Sequence, residues 1–389
     1  MQQSEQKKIF HLPRWYPHEL DPQQGVFIEK HIKASSGWFD HSVLFAYSKK
    51  GVKEPKTELT NQNNVLTVKL RYPKSSNIFR NLYRYIKNFR LGFKLLVKEK
   101  GKPDLIHVHV LLRTGLLGWF YAKRLGIPYV VTEHWSGYLT GAFEQKPFLY
   151  RKASLFVLKH AAKITVVSSA IKTEMTLKGI PEEKIEIIPN VVECSPKETT
   201  KPAKDKKIIM LSVADLVDDI KKISDVIKVL AEIKKAPPFE YRIIGDGPDR
   251  KKLETLAESK GLLNTKVFFL GRKTNHEVLD YLQKCSFLIM NSATETFSVV
   301  TAEALLSGKP VVATRCGGPE QFVNLSNGIL INPGHPEELK KAIEKMMVTF
   351  KDYDPERLKN SVADRFSTSK IGLQFKKIYD KVLSENRTD

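Results

Sequence analysis

Asn291 to Pro310 reads NSATETFSVVTAEALLSGKP: a polar loop, then a run of helix-forming residues. Phe287 to Met290 precedes it as a short apolar run and Pro310 to Ala313 follows it as another, so the stretch reads strand, loop, helix, strand. A helix over Thr301 to Ser307 between two such strands is the crossover of a parallel sheet, whose strands are apolar because both faces are covered. Glu295 and Glu303 have seven residues between them, and the helix starts in that interval. A helix N-terminus near Ser298 to Thr301 aims free backbone N–H groups and a partial positive charge at a phosphate, while flanking carboxylates accept hydrogen bonds from sugar hydroxyls. The plainer alternative is a glutamate that only complements the helix dipole.

Outward from this segment the same alternation continues. Ile208 to Val213, Glu240 to Ile244 and Lys266 to Leu270 read as strands, with helices around Lys222 to Lys234, Arg250 to Lys260 and Glu277 to Gln283. Before them, Lys8 to Leu12, Ser42 to Tyr47, Leu105 to His109, Pro128 to Thr132 and Lys163 to Ser168 read as strands, and Thr114 to Leu125 and Phe148 to Ala162 as helices. Ser195 to Lys207, SPKETTKPAKDKK, is polar and Pro-containing and reads as a linker. A last helix, about Ser369 to Leu383, carries Ile371, Phe375, Ile378, Tyr379 and Val382 on one face. The expectation is therefore an α/β protein of two Rossmann-like, doubly wound domains facing a cleft: 1–194, 195–368, and a C-terminal helix over 369–389 packing back across a lobe. Ligands belong at the carboxyl ends of the strands, in the cleft.

Composition narrows the class. A chain of 389 residues fits two domains, and 41% hydrophobic residues argue against disorder. Cys194, Cys285 and Cys316 have neither CxxC nor His-Cys spacing, which argues against a disulfide frame or a structural zinc site and suggests a reducing compartment. No signal peptide or spanning segment is read, so the expected location is cytoplasmic, with peripheral attachment at the inner face of the membrane. The net charge of +21 calls for an anionic partner. Between Lys69 and Lys100 ten Lys or Arg stand against one acid, Glu99, interleaved with Ile78, Phe79, Leu82, Tyr83, Ile86, Phe89, Phe93 and Leu96. That basic, apolar segment reads either as a helix packed on its own domain or as a dock for an anionic membrane surface.

Gly245-Asp246-Gly247-Pro248 follows the strand ending Arg242-Ile243-Ile244, and Gly317-Gly318 follows Pro310 to Ala313; paired glycines permit positive φ and close backbone approach. Taken in order, GDGP, then Phe269 to Gly271, then Glu295 with Glu303, then Glu303 to Val312 (EALLSGKPVV) and Gly317 to Glu320 (GGPE), the chain resembles glycosyltransferase family 4, of GT-B architecture, over nearly its whole length.

The resemblance implies roles. Glu295 would contact the hydroxyls of the donor sugar and Glu303 the ribose of the nucleotide, with backbone N–H groups of Phe297, Ser298, Val299 and Val300 on the diphosphate. Gly245 and Gly247 would border the donor. The family's segment similar to VGRLxxxKG reads Val213 to Lys222 here; Lys221 keeps the basic role, Asp215 stands where the Arg is usual, and one extra residue precedes the Lys. His134, in Thr132-Glu133-His134-Trp135, aligns with the active-site histidine near the donor sugar, and Ile106-His107-Val108-His109 looks like the family's other histidine-bearing strand end. In Pro13 to Val26, Gly25 would approach the donor phosphate and the acceptor.

The implied reaction is a retaining glycosyl transfer from a UDP- or GDP-linked sugar to a glycan or lipid-linked oligosaccharide, as in surface polysaccharide assembly. The acceptor hydroxyl enters on the side from which the diphosphate leaves, with Lys221 and the helix N-terminus stabilising the departing charge. No cofactor is expected and no metal, since no Asp-x-Asp segment lies in a donor loop; Asp218-Asp219 reads as a solvated pair. Two rivals are a nucleotide-sugar 2-epimerase-like enzyme on the same fold and a basic nucleic-acid-binding protein. For nucleic acid the charge is the only support, and no zinc-finger or RNP-like pattern accompanies it, so no nucleic-acid partner is expected.

Overall fold

A computed structural model describes residues 6–111, 113–193 and 207–386. The linker read over Ser195 to Lys207 and Cys194 therefore fall outside the described residues, Lys207 excepted. Contacts between Cα atoms divide the chain into two compact units: Met1–Val167, Ile171–Val191 and Thr368–Asp389 in one, Ser168–Ala170 and Val192–Ser367 in the other.

In the first part of the chain the elements run β1 (Lys8–Pro13), α1 (Val26–Ser35), β2 (Asp40–Lys49), β3 (Lys56–Gln62), β4 (Val65–Pro73), α2 (Ile78–Lys100) and β5 (Leu105–His109). Then follow α3 (Thr114–Leu125), β6 (Tyr129–Glu133), α4 (Phe148–His160), β7 (Lys163–Val166), α5 (Ser169–Leu177) and β8 (Ile185–Ile187). The sheet order is β3-β4-β2-β1-β5-β6-β7-β8, parallel throughout except for the antiparallel edge pair β3 and β4. The order reverses between β1 and β5, so the crevice of this sheet opens beyond the ends of those two strands.

The second part runs β9 (Ile208–Val213), α6 (Asp218–Lys221), α7 (Ile223–Glu232), β10 (Phe239–Ile244), α8 (Arg250–Ser259), β11 (Val267–Phe269) and α9 (Asn275–Lys284). It continues with β12 (Phe287–Met290), α10 (Val299–Leu306), β13 (Val311–Thr314), β14 (Gly328–Ile331), α11 (Pro336–Thr349), α12 (Pro355–Phe366) and α13 (Thr368–Glu385). Its six strands are all parallel in the order β11-β10-β9-β12-β13-β14, with the reversal between β9 and β12.

Local chemistry sets the element ends. Asn77 caps α2 by accepting from the Arg80 amide, Thr274 and Glu277 form a reciprocal capping box on α9, and Asp354 caps α12 ahead of Pro355. The strands of the six-stranded sheet bury Met210, Tyr241, Ile243, Phe287 and Ile289 against α7, α8 and α11, each such side chain contributing ~1.5–3 kcal/mol. Helix α13 lies on α1, where a Cβ at Gly372 would sit 1.9 Å from the Ala34 carbonyl oxygen; only glycine lets the two helices meet so closely. It adds Ile371, Phe375, Tyr379 and Val382 to the core of the first unit.

The segment read as one amphipathic run from Lys69 to Lys100 is two elements. Lys69 to Pro73 belongs to β4, and only Ile78–Lys100 is helix. Within α2, Tyr85, Phe89, Phe93 and Leu96 are buried, whereas Ile78, Phe79, Leu82 and Tyr83 in the first turns are exposed, Phe79 at 78%. The helix thus carries both a packed face and a separate apolar end in solvent.

Candidate active site

At the carboxyl edge of the six-stranded sheet, three loops converge on the reversal between β9 and β12. The loop after β9 leads into the single turn of α6, which ends at Lys221. Lys221 Nζ donates to Glu295 Oε1 at 2.5 Å, and Ser292 Oγ donates to the same oxygen at 2.8 Å. The Ala293 amide donates to the Ile220 carbonyl at 2.7 Å and the Glu295 amide to the Cys316 carbonyl at 2.9 Å, which ties in the loop after β13. Lys222 occupies the position of the glycine in the family pattern and keeps a left-handed backbone, φ 50°. Burial depresses the Lys221 ammonium, but the charge and hydrogen bond of Glu295 outweigh it, so its pKa is raised and it stays cationic. Burial pushes the neighbouring Cys316 thiol up to about 12, so it remains protonated.

Helix α10 starts at Val299, two residues before the sequence reading placed it, because Ser298 turns the chain through a left-handed conformation, φ 68°. The Ser298 hydroxyl pairs with that of Thr301 at 2.7 Å and caps no amide, leaving the first N–H groups of the helix to other acceptors. Val299 and Val300 are half-buried there. Phe297 is buried, its ring 5.4 Å from Phe322 and 5.0 Å from Phe366, so its side chain anchors the loop and only its backbone can serve a ligand. Glu303 is buried on α10.

Gly245 and Gly247 pack against the loop after β9. A Cβ at Gly245 would lie 1.8 Å from the Ala214 oxygen, and one at Gly247 would lie 2.5 Å from that of Leu216. Their close approach is to the chain's own loop, which they seat so that it delivers Lys221. Asp215, at the place of the usual Arg, is exposed and lies 3.7 Å from the Arg272 guanidinium, which brings a cation to this edge from the loop after β11.

In the first unit, His134 follows β6 at a carboxyl edge. It is buried, both ring nitrogens lack hydrogen-bond partners, and its ring lies 4.6 Å from Phe27 and 5.4 Å from His31. Burial, then the charges of His31 and His109, lower its pKa well below the usual value and keep it neutral. Gly25 sits at the start of α1 with φ 71°, where a Cβ would be 2.5 Å from the Trp15 oxygen.

Sequence reasoning missed the histidine ladder behind His134. Ser35 Oγ contacts His41 Nε2 at 3.1 Å, His41 Nδ1 contacts His11 Nε2 at 2.8 Å, and His11 Nδ1 contacts His109 Nε2 at 2.9 Å. His11, His107 and His109 could each offer a nitrogen to a metal, within 4.8 Å of one another. Yet His11 uses both nitrogens within the ladder, and His107 bonds Tyr379 and Thr132 at 2.6 Å each. Hydrogen bonds thus hold every nitrogen of His11 and His107, and His109 Nδ1 alone of the three residues' nitrogens is buried without a partner. The only sequence sign was a histidine in each of three apolar strands.

The profile for Glycosyl transferases group 1 matches residues 196–359 and that for Glycosyltransferase Family 4 matches residues 40–195. The chain is 30% identical to alpha-monoglucosyldiacylglycerol synthase of Acholeplasma laidlawii over 288 residues, 66% of this chain and 70% of that protein. It is 28% identical to an uncharacterized glycosyltransferase of Methanocaldococcus jannaschii over 78% of this chain and 82% of the other. Against a putative teichuronic acid biosynthesis glycosyltransferase of Bacillus subtilis it is 25% identical over 87% and 88%. Among solved structures, sucrose-phosphate synthase from Thermosynechococcus elongatus superposes with a TM-score of 0.76 at 18% identity, covering 97% of this chain and all of that one. Anabaena HepE in complex with UDP and glucose gives 0.68 at 19%, covering 96% and 100%. At these identities the structures establish architecture, and the family rests on the profiles and the sequence relatives. The chain belongs to glycosyltransferase family 4 and has the GT-B fold.

Proposed function

We propose that this glycosyltransferase takes its sugar from a UDP- or GDP-linked donor, retains the anomeric configuration, and passes the sugar to a glycan or lipid-linked oligosaccharide in surface polysaccharide or glycolipid assembly. The observation that carries the reading is the Lys221–Glu295 pair at 2.5 Å, held between the β9 and β12 loops beside the uncapped start of α10. A cation, a carboxylate and free amides within one small region match the needs of a sugar diphosphate: hydroxyls for Glu295, phosphate oxygens for Lys221 and the α10 amides. As the glycosidic bond breaks, negative charge grows on the leaving phosphate. Donors fixed beforehand stabilise it without reorganising. Lys221 and α10 supply that stabilisation, and Arg272 beside Asp215 adds positive charge where the family pattern has an Arg. In this reading no metal takes part, and His134, neutral in the first unit, is the active-site histidine that the family resemblance implies.

The relatives support the donor and acceptor classes. HepE was solved with UDP and glucose, the Acholeplasma relative is an alpha-monoglucosyldiacylglycerol synthase, and the Bacillus relative is a putative teichuronic acid biosynthesis glycosyltransferase. No described helix is long and apolar enough to cross a membrane. Docking at the anionic inner face of the membrane would fall to the first turns of α2, where Ile78, Phe79, Leu82 and Tyr83 are exposed beside Arg80 and Lys87. The test is to incubate the protein with UDP- and GDP-sugars in EDTA and lipid-linked acceptors, and to read the anomeric configuration of the product by NMR. A product of the donor's own configuration is expected; an inverted product, or one formed only with a divalent metal, overturns the mechanism.

A further inference from the structure

A cavity of about 960 Å³ opens at the carboxyl edge of the eight-stranded sheet. Its walls come from the ends of β1, β2, β4 and β5 and include Arg14, Lys50, Lys74, Arg113, Ser48 and Tyr72. It therefore lies at the reversal between β1 and β5, where sheets of this kind hold their ligands. No carboxylate lines it, and none of its four cations has an ion-pair partner among the described residues. Arg14 is half-buried. Burial lowers its pKa first, and the surrounding influences are the charge of Arg113 and the phenols of Tyr85, Tyr72 and Tyr150, with no acid among them. A half-buried guanidinium with a second cation near it and no acid beside it is unfavourable unless an anion joins it.

Two further observations point the same way. Val110 and Arg113 hold positive φ, 61° and 60°, and for a β-branched residue such as Val110 that is a strained backbone. Strain of this kind persists where the surroundings impose it, and here it sets the loop that carries Arg113. The first turns of α2 contribute Ile78 and Leu82 to the lining, both exposed, and the first turn of that helix contains no acid. The cavity thus joins four cations to an apolar ledge.

We infer that this cavity binds the phosphate or diphosphate of a lipid acceptor, the anion between Arg14 and Arg113 with Lys50 and Lys74 at the rim, and the hydrocarbon leaving along Ile78 and Leu82. The inference rests on the transferase reading, since it names the acceptor of that reaction. It gives the basic excess of the N-terminal unit a specific task in addition to general attraction to anionic surfaces. Arginine suits it because its planar fork takes two phosphate oxygens at once.

The experiment compares the full chain with an Arg14→Gln, Arg113→Gln double variant, and separately with Lys50→Gln, Lys74→Gln, on phosphatidylcholine vesicles. One set carries phosphatidic acid, a phosphomonoester, and the other carries phosphatidylglycerol at matched surface charge. The wild type should prefer the phosphomonoester vesicles by about tenfold or more, the worth of one charge-assisted hydrogen bond, and the arginine variant should bind both sets alike. The lysine pair tests the same site should the arginine variant not fold. A preference that survives both variants, or its absence in the wild type, overturns the inference. If inorganic diphosphate binds the wild type and neither variant while vesicles show no preference, the site takes a soluble phosphate and the lipid assignment falls. Stabilisation by nucleotide sugars, measured in parallel, concerns the other sheet; if it persists while the vesicle preference fails, only this inference is lost.

Discussion

Acidification should loosen the N-terminal unit, and the structure sets the size of the effect. Burial lowers the pKa of His31 to about 4, against a bond to the Pro189 carbonyl that raises it, and burial likewise lowers that of His41 to about 4. An unfolded histidine titrates near 6.5, so each contributes stability that is present above that value and is lost as pH falls toward 4. Between pH 8 and pH 5 the loss is about 2 kcal/mol for each, about 4 kcal/mol for the two. Glu133 acts in the opposite sense: burial raises its pKa to about 7, so its ionised cost at pH 8 is relieved on acidification, returning about 2.5 kcal/mol. The net loss from these three groups is about 1.5 kcal/mol, and His11, His107, His109 and His134, all lowered well below the usual value, add to it. Removing the counterweight with Glu133→Gln should increase the loss to about 4 kcal/mol or more. The four tryptophans, Trp15, Trp38, Trp119 and Trp135, all lie in this unit, so urea unfolding followed by tryptophan fluorescence reports it alone. A stability that stays level or rises from pH 8 to pH 5, or a shallower acid loss in Glu133→Gln than in the wild type, would refute the reasoning.

Other outcomes follow from the site and from α2. Glu295→Ala and Glu303→Ala should each cut turnover at least about a hundredfold if, as proposed, each removes an interaction with the donor, while the urea midpoint of a folded chain remains measurable; full activity in both would remove the site assignment. Phe79→Ser with Leu82→Ser should weaken binding to anionic vesicles at low salt by about tenfold or more, because each buried apolar side chain is worth ~1.5–3 kcal/mol, and sedimentation with vesicles would reveal an unchanged affinity if the helix end does not insert.

The parallel strands were legible because both their faces are covered. Runs such as Phe287–Met290 (FLIM) and the VVA of Val311–Thr314 are apolar without interruption, and their crossover helices supply the alternation. Edge strand β3 was not, since Lys56–Gln62 is polar and exposed along nearly all its length and shows no inward face. β4 carries Lys69 and Arg71 on a half-exposed strand, which made its end look like the start of the basic helix. β8 and β14 are too short to have a period. The core of α2 was read from its spacing, but spacing alone could not tell that Ile78, Phe79, Leu82 and Tyr83 stay outside while Phe89 and Phe93 go in. In the candidate site, Glu295 and Lys221 were singled out through the order of several weak motifs. Their pairing across 74 residues, and that of His11 with His109 across 98, depends on strand neighbours that no local pattern encodes. Asp215 was legible as a departure from the family pattern; Arg272 beside it became visible only with the loop after β11 in place.

The central claim, a nucleotide-sugar site built on Lys221, Glu295 and the start of α10, is tested most directly by the thermal midpoint of the purified protein with UDP, GDP and their common sugar conjugates in EDTA. A ligand that binds only the folded state at a hundred times its Kd stabilises by about 2.7 kcal/mol. A clear rise is expected with the conjugates of one base, lost in Lys221→Ala. No shift with any of them, or a shift that Lys221→Ala leaves untouched, would contradict it.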